Sequence, residues 1–369
     1  MSHLDPAVPR RIAVLYSRLS GYVTACLRTL QERHGVETLV VRWPVASEAP
    51  FDARVFEALG AVHTRDQLDD DALQGLLDRF GPEGVFMAGW MDKGYLQAAR
   101  RLKAQGVPVV AGTDAQWRGT PRQHLARLAA PRMLHPAIDV LWGAGERQRQ
   151  FAERLGYSGA RCWTGYYSAD RARFTPAFAQ REQHPPAAPH FLFVGRYQPV
   201  KGLDVLLDAY ARYREVALEQ GTAPWGLRCA GTGPLAEMLQ GRDGVEDLGF
   251  VQPDRLPTLL AEASAFVLPS NWEPWGVALH EAASAGLPLV ASDACGAAVH
   301  LLQDRYNGAV FGAGDAAHLA RGLDRIAAAG EEARHEMGRR SHALSEQFTP
   351  ERWADTLALG IAELRRRRG

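Results

Sequence analysis

The sequence predicts an α/β protein of two doubly wound domains, each a parallel sheet covered by helices on both faces. Short continuous apolar runs alternate with longer stretches of helical period along most of the chain. Such runs are typical of strands that a parallel sheet buries on both faces. The length of 369 residues also favours two domains, since an average domain holds about 150 residues.

The first half begins its alternation at residue 11. Strands are predicted at residues 11–16, 37–41, 84–87, 107–111 and 139–142. Helices are predicted at residues 21–33, 71–79, 94–104, 121–128 and 146–155. Strands separated by helices indicate a Rossmann-like domain, which we assign to residues 1–172.

Residues 173–189 contain four of the 22 prolines and no apolar period, which predicts an interdomain linker. The alternation then restarts, and a second Rossmann-like domain is expected over residues 190–346. Its predicted strands are residues 190–194, 226–230, 265–268 and 288–291. Its predicted helices are residues 203–218, 235–239, 276–285 and 316–328. We expect residues 347–369 to form a C-terminal helix that packs toward the N-terminal domain, and the two domains to face a central cleft.

Composition and charge exclude several classes of protein. Apolar residues make up 46% and charged residues 23%, as in ordinary globular proteins. Lys plus Arg number 42 and so do Asp plus Glu, so nucleic-acid binding is not expected. The cysteines Cys26, Cys162, Cys229 and Cys295 are far apart, which predicts single buried thiols in a reducing cytoplasm. With no secretory-type start and no run of 18 apolar residues, neither export nor a membrane span is expected.

The stretch FVLPSNWEPWGVALHEAASA, residues 266–285, is the richest in side chains that could carry chemistry. Glu273 lies in the loop after a strand, Gly276 opens the next helix, and Glu281 follows Glu273 by eight residues. Free N–H groups at the start of that helix can hold phosphate, and Glu281 can accept hydrogen bonds from two vicinal hydroxyls. A loop glutamate and a solvated helix glutamate are the plainer interpretation of the same pair.

A second stretch, FLFVGRYQPVKGLDVLLD, places two cations after a strand. The strand ends in Gly195, Arg196 follows it, and Lys201 precedes the next helix. Two cations beside a helix N-terminus can bind a diphosphate and stabilise its charge as it departs, with no metal. Taken alone, the pair is also explained as a solvated strand-end arginine and a helix-cap lysine.

Three further features are weaker evidence for a binding site. Gly231 lies in CAGTGPL, a pattern most often found in a plain tight turn. Phe250 and Val251 lie in a strand-to-helix loop whose backbone could meet a nucleobase edge. The acidic run at residues 69–71 resembles a metal-binding D-x-D pattern, but it precedes a helix, and we interpret it as a helix cap.

Four segments, VGRYQPVKGLDVLLDAY, AGTGPL, LGFV and FVLPSNWEPWGVALHEAASAGLPLVAS, occur in this order. Together they resemble the C-terminal nucleotide-sugar-binding domain of the retaining glycosyltransferases of family 4, the group 1 glycosyltransferases with the GT-B fold. The resemblance implies a UDP- or GDP-sugar donor and no metal or other cofactor. It implies that Arg196 and Lys201 bind the donor diphosphate, that Glu273 contacts the donor sugar, and that Glu281 binds the ribose. The other residues of the implied donor site are Gly195, Gly231, Phe250, Val251, Trp275, Gly276 and Val277.

The first half resembles this family more loosely. Where the family often has a glycine-rich loop, this chain has SRLSGYV, with Gly21 as the single glycine. Where the family frequently has a histidine that faces the donor sugar, this chain has Thr113 and Asp114. Asp114 either takes over the catalytic contact of that histidine or is an ordinary turn residue.

A basic segment follows in the same half. It contains Trp117 and the arginines Arg118, Arg122, Arg127 and Arg132. Three interpretations are open: a solvated face, a face that binds an anionic acceptor, or peripheral contact with an anionic membrane.

The expected function is the metal-independent, retaining transfer of a hexose from a nucleotide sugar to a glycan or lipid-linked acceptor. We expect it in the cytoplasm of a bacterium, in envelope or exopolysaccharide synthesis. The alternatives are a sugar-nucleotide-binding scaffold subunit with impaired catalysis and a GT-B-fold epimerase. A nicotinamide dehydrogenase is excluded, because no G-x-G-x-x-G follows the first strand.

Overall fold

The computed structural model describes residues 8–17, 19–44, 59–184 and 188–368. The chain divides into two compact units. The N-terminal unit contains residues 1–168 together with residues 348–369, and the C-terminal unit contains residues 169–347.

The N-terminal unit is built on a seven-stranded parallel sheet. Its strands are β1 (Arg11–Tyr16), β2 (Glu37–Arg42), β3 (Ala61–Thr64), β4 (Gly84–Ala88), β5 (Val109–Thr113), β6 (Val140–Gly143) and β7 (Cys162–Thr164). Its helices are α1 (Gly21–His34), α2 (Asp70–Phe80), α3 (Lys93–Ala104), α4 (Pro121–Met133), α5 (Glu146–Arg154) and α13 (Pro350–Arg366). The order β3-β2-β1-β4-β5-β6-β7 reverses direction between β1 and β4.

Two apolar layers cover the faces of this sheet. Side chains alternate along a strand, so Ile12 and Val14 enter one layer and Ala13 and Leu15 enter the other. The first layer also contains Trp353 of α13. The C-terminal helix therefore completes the core of the N-terminal unit.

The C-terminal unit repeats the plan with a six-stranded parallel sheet. Its strands are β8 (His190–Val194), β9 (Gly226–Ala230), β10 (Val245–Asp247), β11 (Ala265–Leu268), β12 (Leu289–Ser292) and β13 (Gly308–Phe311). Its helices are α6 (Arg171–Gln183), α7 (Leu203–Glu219), α8 (Leu256–Glu262), α9 (Val277–Ser284), α10 (Ala298–Leu301), α11 (Ala316–Ala328) and α12 (Glu331–Ser345). The order β10-β9-β8-β11-β12-β13 reverses between β8 and β11. The predicted fold class, two doubly wound α/β domains, is confirmed.

The prediction of a linker over residues 173–189 needs a correction, because most of that segment is helix α6. The buried side chains of α6, Phe174, Ala177 and Arg181, recur at helical spacing. Three buried side chains, of which one is an arginine, form too short an apolar pattern to indicate a helix in a segment that contains prolines. Residues 185–187 of the predicted linker lie outside the described residues.

The acidic run and the cysteines are structural features. The Asp69 carboxylate accepts a hydrogen bond from the backbone N–H of Ala72 at 2.7 Å, so it caps α2 as predicted. Asp70 forms an ion pair with Arg65 at 2.5 Å. All four cysteines are free thiols, three of them buried.

Candidate functional site

The predicted donor residues lie in loops at the carboxyl edge of the C-terminal sheet. Gly195 and the exposed Arg196 directly follow β8, Gly231 follows β9, and Glu273 lies between β11 and α9. Parallel strands end at one edge of their sheet, which is where ligands bind in such folds.

Lys201 and Glu273 form an ion pair at this edge, through the Lys201 ammonium group and Oε2 of Glu273. The side chains are only 18% and 10% exposed. The Ser270 hydroxyl donates to the same carboxylate oxygen at 3.4 Å, and the Glu273 carbonyl accepts from the N–H of Gly296 at 3.0 Å. The cation is therefore held in place by a carboxylate that is itself fixed.

The two loops that carry this pair are joined by their backbones. The Asn271 N–H donates to the carbonyl of Val200 at 2.9 Å, and the Asn271 side-chain amide donates to the carbonyl of Pro199 at 3.1 Å. Gly202 adopts φ +67°, and a Cβ there would lie 2.2 Å from the carbonyl oxygen of Pro269. The loop after β8 can thus approach the loop after β11 only with glycine at this position.

Gly231 allows a second close approach. A Cβ on Gly231 would lie 1.9 Å from the carbonyl oxygen of Gly195. The Gly231 N–H donates to the carbonyl of Gly249 at 2.8 Å, and the Tyr197 N–H donates to the carbonyl of Thr232 at 2.8 Å. The loops after β8, β9 and β10 therefore meet around a glycine that a larger residue would displace.

We expect Gly231→Ala to lower the free energy of unfolding by about 1–3 kcal/mol, the usual cost of overpacking. The added methyl group meets a backbone oxygen, which cannot rotate away as a flexible side chain can. Gly312→Ala is the matched control, because its nearest contact would be 4.0 Å away. Urea unfolding followed by circular dichroism measures both variants. Equal transition midpoints for the two would contradict the steric argument.

The loop from Trp275 to α9 lies where the sequence predicted it, but the helix begins one residue later than predicted. Gly276 is the N-cap rather than the first helical residue, and α9 begins at Val277. Gly276 adopts φ +100°, and a Cβ there would lie 2.8 Å from the sulfur of Cys295. Trp275 is 2% exposed, and its carbonyl accepts from the N–H of Ala297 at 2.8 Å. The start of α9 is thus held rigidly at the carboxyl edge.

Glu281 lies in the second turn of α9 and is partly exposed. Burial of its carboxyl group raises the pKa of Glu281 to about 8, against an ordinary value of 4.5. The guanidinium of Arg173 lowers this pKa, while the carboxylate of Asp170 raises it further. The sequence pattern gives no sign of these two neighbours, because Arg173 lies within the predicted linker and Asp170 lies just before it.

Phe250 and Val251 follow β10 at the edge of the sheet. Phe250 is 38% exposed. The Asp247 carboxylate accepts from the Tyr197 hydroxyl at 2.7 Å and from the Gly249 N–H at 2.9 Å. The turn that presents the Phe250 ring is thus fixed by Asp247, another residue that the sequence analysis did not identify.

The N-terminal unit has a crevice of about 550 Å³ at its own carboxyl edge. Tyr16 at the end of β1, Ala88 at the end of β4 and Thr113 at the end of β5 line it. Ligands in doubly wound sheets bind where the strand order reverses, here between β1 and β4. Gly21 is the first residue of α1, and its neighbour Tyr22 lines the crevice.

Asp114 lines the crevice beside a cluster of tyrosines. Its carboxylate accepts a hydrogen bond from the Tyr167 hydroxyl at 3.1 Å. The Tyr167 ring packs edge-on against Tyr22, with ring centres 5.2 Å apart, and the hydroxyls of Tyr16 and Tyr166 lie 2.6 Å apart. The adjacent Tyr166 and Tyr167 of GYYSAD are the part of this cluster that the sequence shows, because Tyr16 and Tyr22 are far away in the chain.

The basic segment divides between the crevice and the exposed face of α4. Arg118 and Arg122 line the crevice. Along α4, Leu125 and Leu128 are 67% and 72% exposed. Peripheral contact with an anionic membrane stays a prediction for this face. Among the described residues, no helix combines the length and apolar character of a membrane span.

Comparisons with known proteins add the following findings. Residues 175–343 match the family model described as "Glycosyl transferases group 1". A D-inositol 3-phosphate glycosyltransferase of Salinispora arenicola is 33% identical over 42% of this chain and 40% of its own length. A glycogen synthase of Mycobacterium tuberculosis is 37% identical over 34% of this chain and 30% of its own length. The chain thus matches less than half the length of these curated relatives.

Among solved structures, HepE of Anabaena in complex with UDP and glucose has 17% identity and a TM-score of 0.71. The alignment covers 95% of this chain and 99% of HepE, a likeness that shows the fold alone. The chain has the GT-B fold, and its residues 175–343 match the group 1 glycosyltransferase family.

Proposed function

We propose that the protein is a retaining glycosyltransferase. It transfers a hexose from a UDP- or GDP-sugar to an acceptor glycan or a lipid-linked sugar, and it needs no metal ion. The observation that carries the proposal is the buried Lys201–Glu273 ion pair, held at the carboxyl edge of the C-terminal sheet in the loops that lead into α7 and α9. Relatives named as glycosyltransferases and a neighbour solved with UDP and glucose support it.

The donor is assigned to the C-terminal unit. Arg196, Lys201 and the free N–H groups at the start of α9 bind the diphosphate. Glu281 accepts hydrogen bonds from the ribose hydroxyls, and the loop at Phe250 receives the base. Glu273 contacts the sugar as well as Lys201. This donor set supplies positive charge from side chains and a helix end, so the proposal requires no metal.

Catalysis in this proposal is mainly electrostatic. The bond between the anomeric carbon and the diphosphate oxygen breaks, and its electron pair leaves with the nucleoside diphosphate. The acceptor oxygen bonds to the anomeric carbon on the same face, and its proton passes to the departing phosphate. Lys201 and Arg196 stabilise the charge that grows on this phosphate. Within the N-terminal unit, Asp114 is assigned to accept a hydrogen bond from a sugar hydroxyl.

Location and physiological role belong to the same proposal. Nucleotide sugars are cytoplasmic substrates, and we assign the protein to that compartment, with the exposed face of α4 resting on the inner surface of the membrane. Its product enters envelope or exopolysaccharide synthesis.

The deciding experiment is isothermal titration calorimetry of a nucleotide-sugar panel with the wild-type protein in the presence of EDTA. We expect one UDP- or GDP-sugar to bind, and NMR of the transfer product to show the anomeric configuration of the donor. Inversion would contradict the retaining mechanism, and a requirement for added metal would contradict metal independence. An epimerised donor with no acceptor would identify an epimerase. Binding without transfer to any acceptor would favour the scaffold subunit.

A further inference from the structure

The crevice of the N-terminal unit has a positively charged wall. Arg118 and Arg122 line it, and Asp114 is the one acidic residue among the described residues that line it. Arg122 lies in the first turn of α4, where the helix dipole adds positive potential. An anionic group in the crevice would therefore meet two guanidinium groups.

The segment that carries these arginines is fixed by one side chain. Oε1 of Gln123 accepts from the N–H of Arg118 at 2.7 Å, and Nε2 of Gln123 donates to the carbonyl of Gln116 at 2.7 Å. The Thr120 hydroxyl caps α4 by accepting from the Gln123 N–H at 3.3 Å. Hydrogen bonds within the chain thus hold the turn, which reduces the entropy lost when a ligand binds.

Aromatic rings also line the crevice. The rings of Trp90 and Phe151 are nearly parallel, 15° apart, with centres separated by 6.4 Å, and both residues contribute to the lining. Aromatic surfaces with a few placed polar groups, in a volume of about 300–1,000 Å³, are typical of small-molecule sites. The crevice therefore fits a sugar ring with an ionic substituent.

We propose that this crevice binds an acceptor sugar or polyol that carries a phosphate or carboxylate group. Arg118 and Arg122 hold the anion, the aromatic rings pack against the apolar face of the ring, and Asp114 accepts a hydrogen bond from a hydroxyl. That the bound sugar serves as the acceptor of a transferred hexose rests on the proposed function. The binding of an anionic sugar rests on the crevice itself.

The test is calorimetric binding of glucose 6-phosphate, glucuronate and glucose to the full chain without a nucleotide sugar. We expect at least one charged sugar to bind at least about 10-fold more tightly than glucose, because charge-assisted hydrogen bonds contribute most of the affinity. Inorganic phosphate competes if the phosphate group alone is recognised, and glucuronate reports recognition of a carboxylate. Arg118→Gln and Arg122→Gln should each weaken this binding about 10-fold.

Arg127→Gln is the matched control, because it makes the same change on the same helix at a position that does not line the crevice. The control should bind as the wild type does. Equal affinity for glucose and both charged sugars would overturn the proposal, and so would equal losses in Arg127→Gln and Arg122→Gln. If the charged sugar binds but no nucleotide sugar does, the crevice assignment stands and the proposed function fails. If a nucleotide sugar binds and neutral sugars accept its hexose equally well in all variants, the proposed function stands and the crevice assignment fails.

Discussion

Replacing Lys201 with alanine is expected to reduce turnover of the nucleotide sugar by at least ~10²-fold, the loss typical when a preorganised charge contact is removed. The Glu273 carboxylate holds the Lys201 ammonium group in place, which reduces the energy needed to orient it during the reaction. Because the phosphate gains charge as the anomeric bond breaks, kcat should fall more than donor affinity. Arg196→Ala should reduce turnover on the same scale.

The Lys201 variant also leaves the Glu273 carboxylate, 10% exposed, without its cation, which destabilises the fold. The double variant Lys201→Ala/Glu273→Ala isolates the effect on stability, because it also removes the unpaired carboxylate, and Glu273 itself belongs to the proposed donor site. It should recover stability in thermal unfolding but not recover turnover. Lys93→Ala, at an exposed position in the first turn of α3, is the control for loss of a lysine. Turnover at the wild-type rate in Lys201→Ala would remove Lys201 from the site.

Among the strands, those that the sequence pattern predicted form the interior of each sheet. Every one of the nine predicted strands is an internal strand. The missed strands, β3, β7, β10 and β13, are the outermost strands of the two sheets. Most internal strands of these sheets, such as β5, β6, β11 and β12, are buried on both faces and carry a continuous apolar run. The edge strand β10, Val-Glu-Asp, is partly exposed at each residue and carries no such pattern.

The site was predictable where one loop supplies several residues, and it was not where the fold brings distant segments together. Gly276 and Glu281 are close in sequence, and the start of α9 lies where the pattern predicted it within one residue. The Lys201–Glu273 ion pair spans 72 residues, and the Tyr167–Asp114 hydrogen bond spans 53. The pattern of residues within a short stretch of sequence cannot predict either contact, because both contacts depend on which strands become neighbours in the sheet.

Glu281→Gln is expected to weaken nucleotide-sugar binding about 10-fold and Glu281→Ala up to about 100-fold, the range for a hydrogen bond to a charged group. Glutamine keeps an acceptor oxygen for the ribose hydroxyls but not the charge. Glu215→Gln, at an exposed position of α7, is the matched control and should bind the donor as the wild type does. Full affinity in Glu281→Ala would remove this residue from the donor site.

Because the pKa of Glu281 is raised to about 8, the stability of the protein should depend on pH in a way that the Glu281 variant changes. The folded protein keeps a proton that the unfolded chain loses near pH 4.5, so stability falls as pH rises from about 4.5 to about 8. Glu281→Gln has no such group. Its stability advantage over the wild type should be large at pH 8 and should shrink toward pH 4.5. A constant difference across this range would show that the Glu281 pKa is not raised.

Donor binding should lower the raised pKa of Glu281, because ribose hydroxyls donate hydrogen bonds to the charged carboxylate and stabilise it. Binding at pH 7 should therefore release a proton. A nucleotide sugar is esterified at both ends of its diphosphate and has no group of its own that titrates near pH 7. The released proton must then come from the protein, and the measured binding enthalpy should differ between phosphate and Tris buffers. This difference should vanish in Glu281→Gln and persist in Glu215→Gln, which distinguishes a ribose contact from a glutamate that is merely buried.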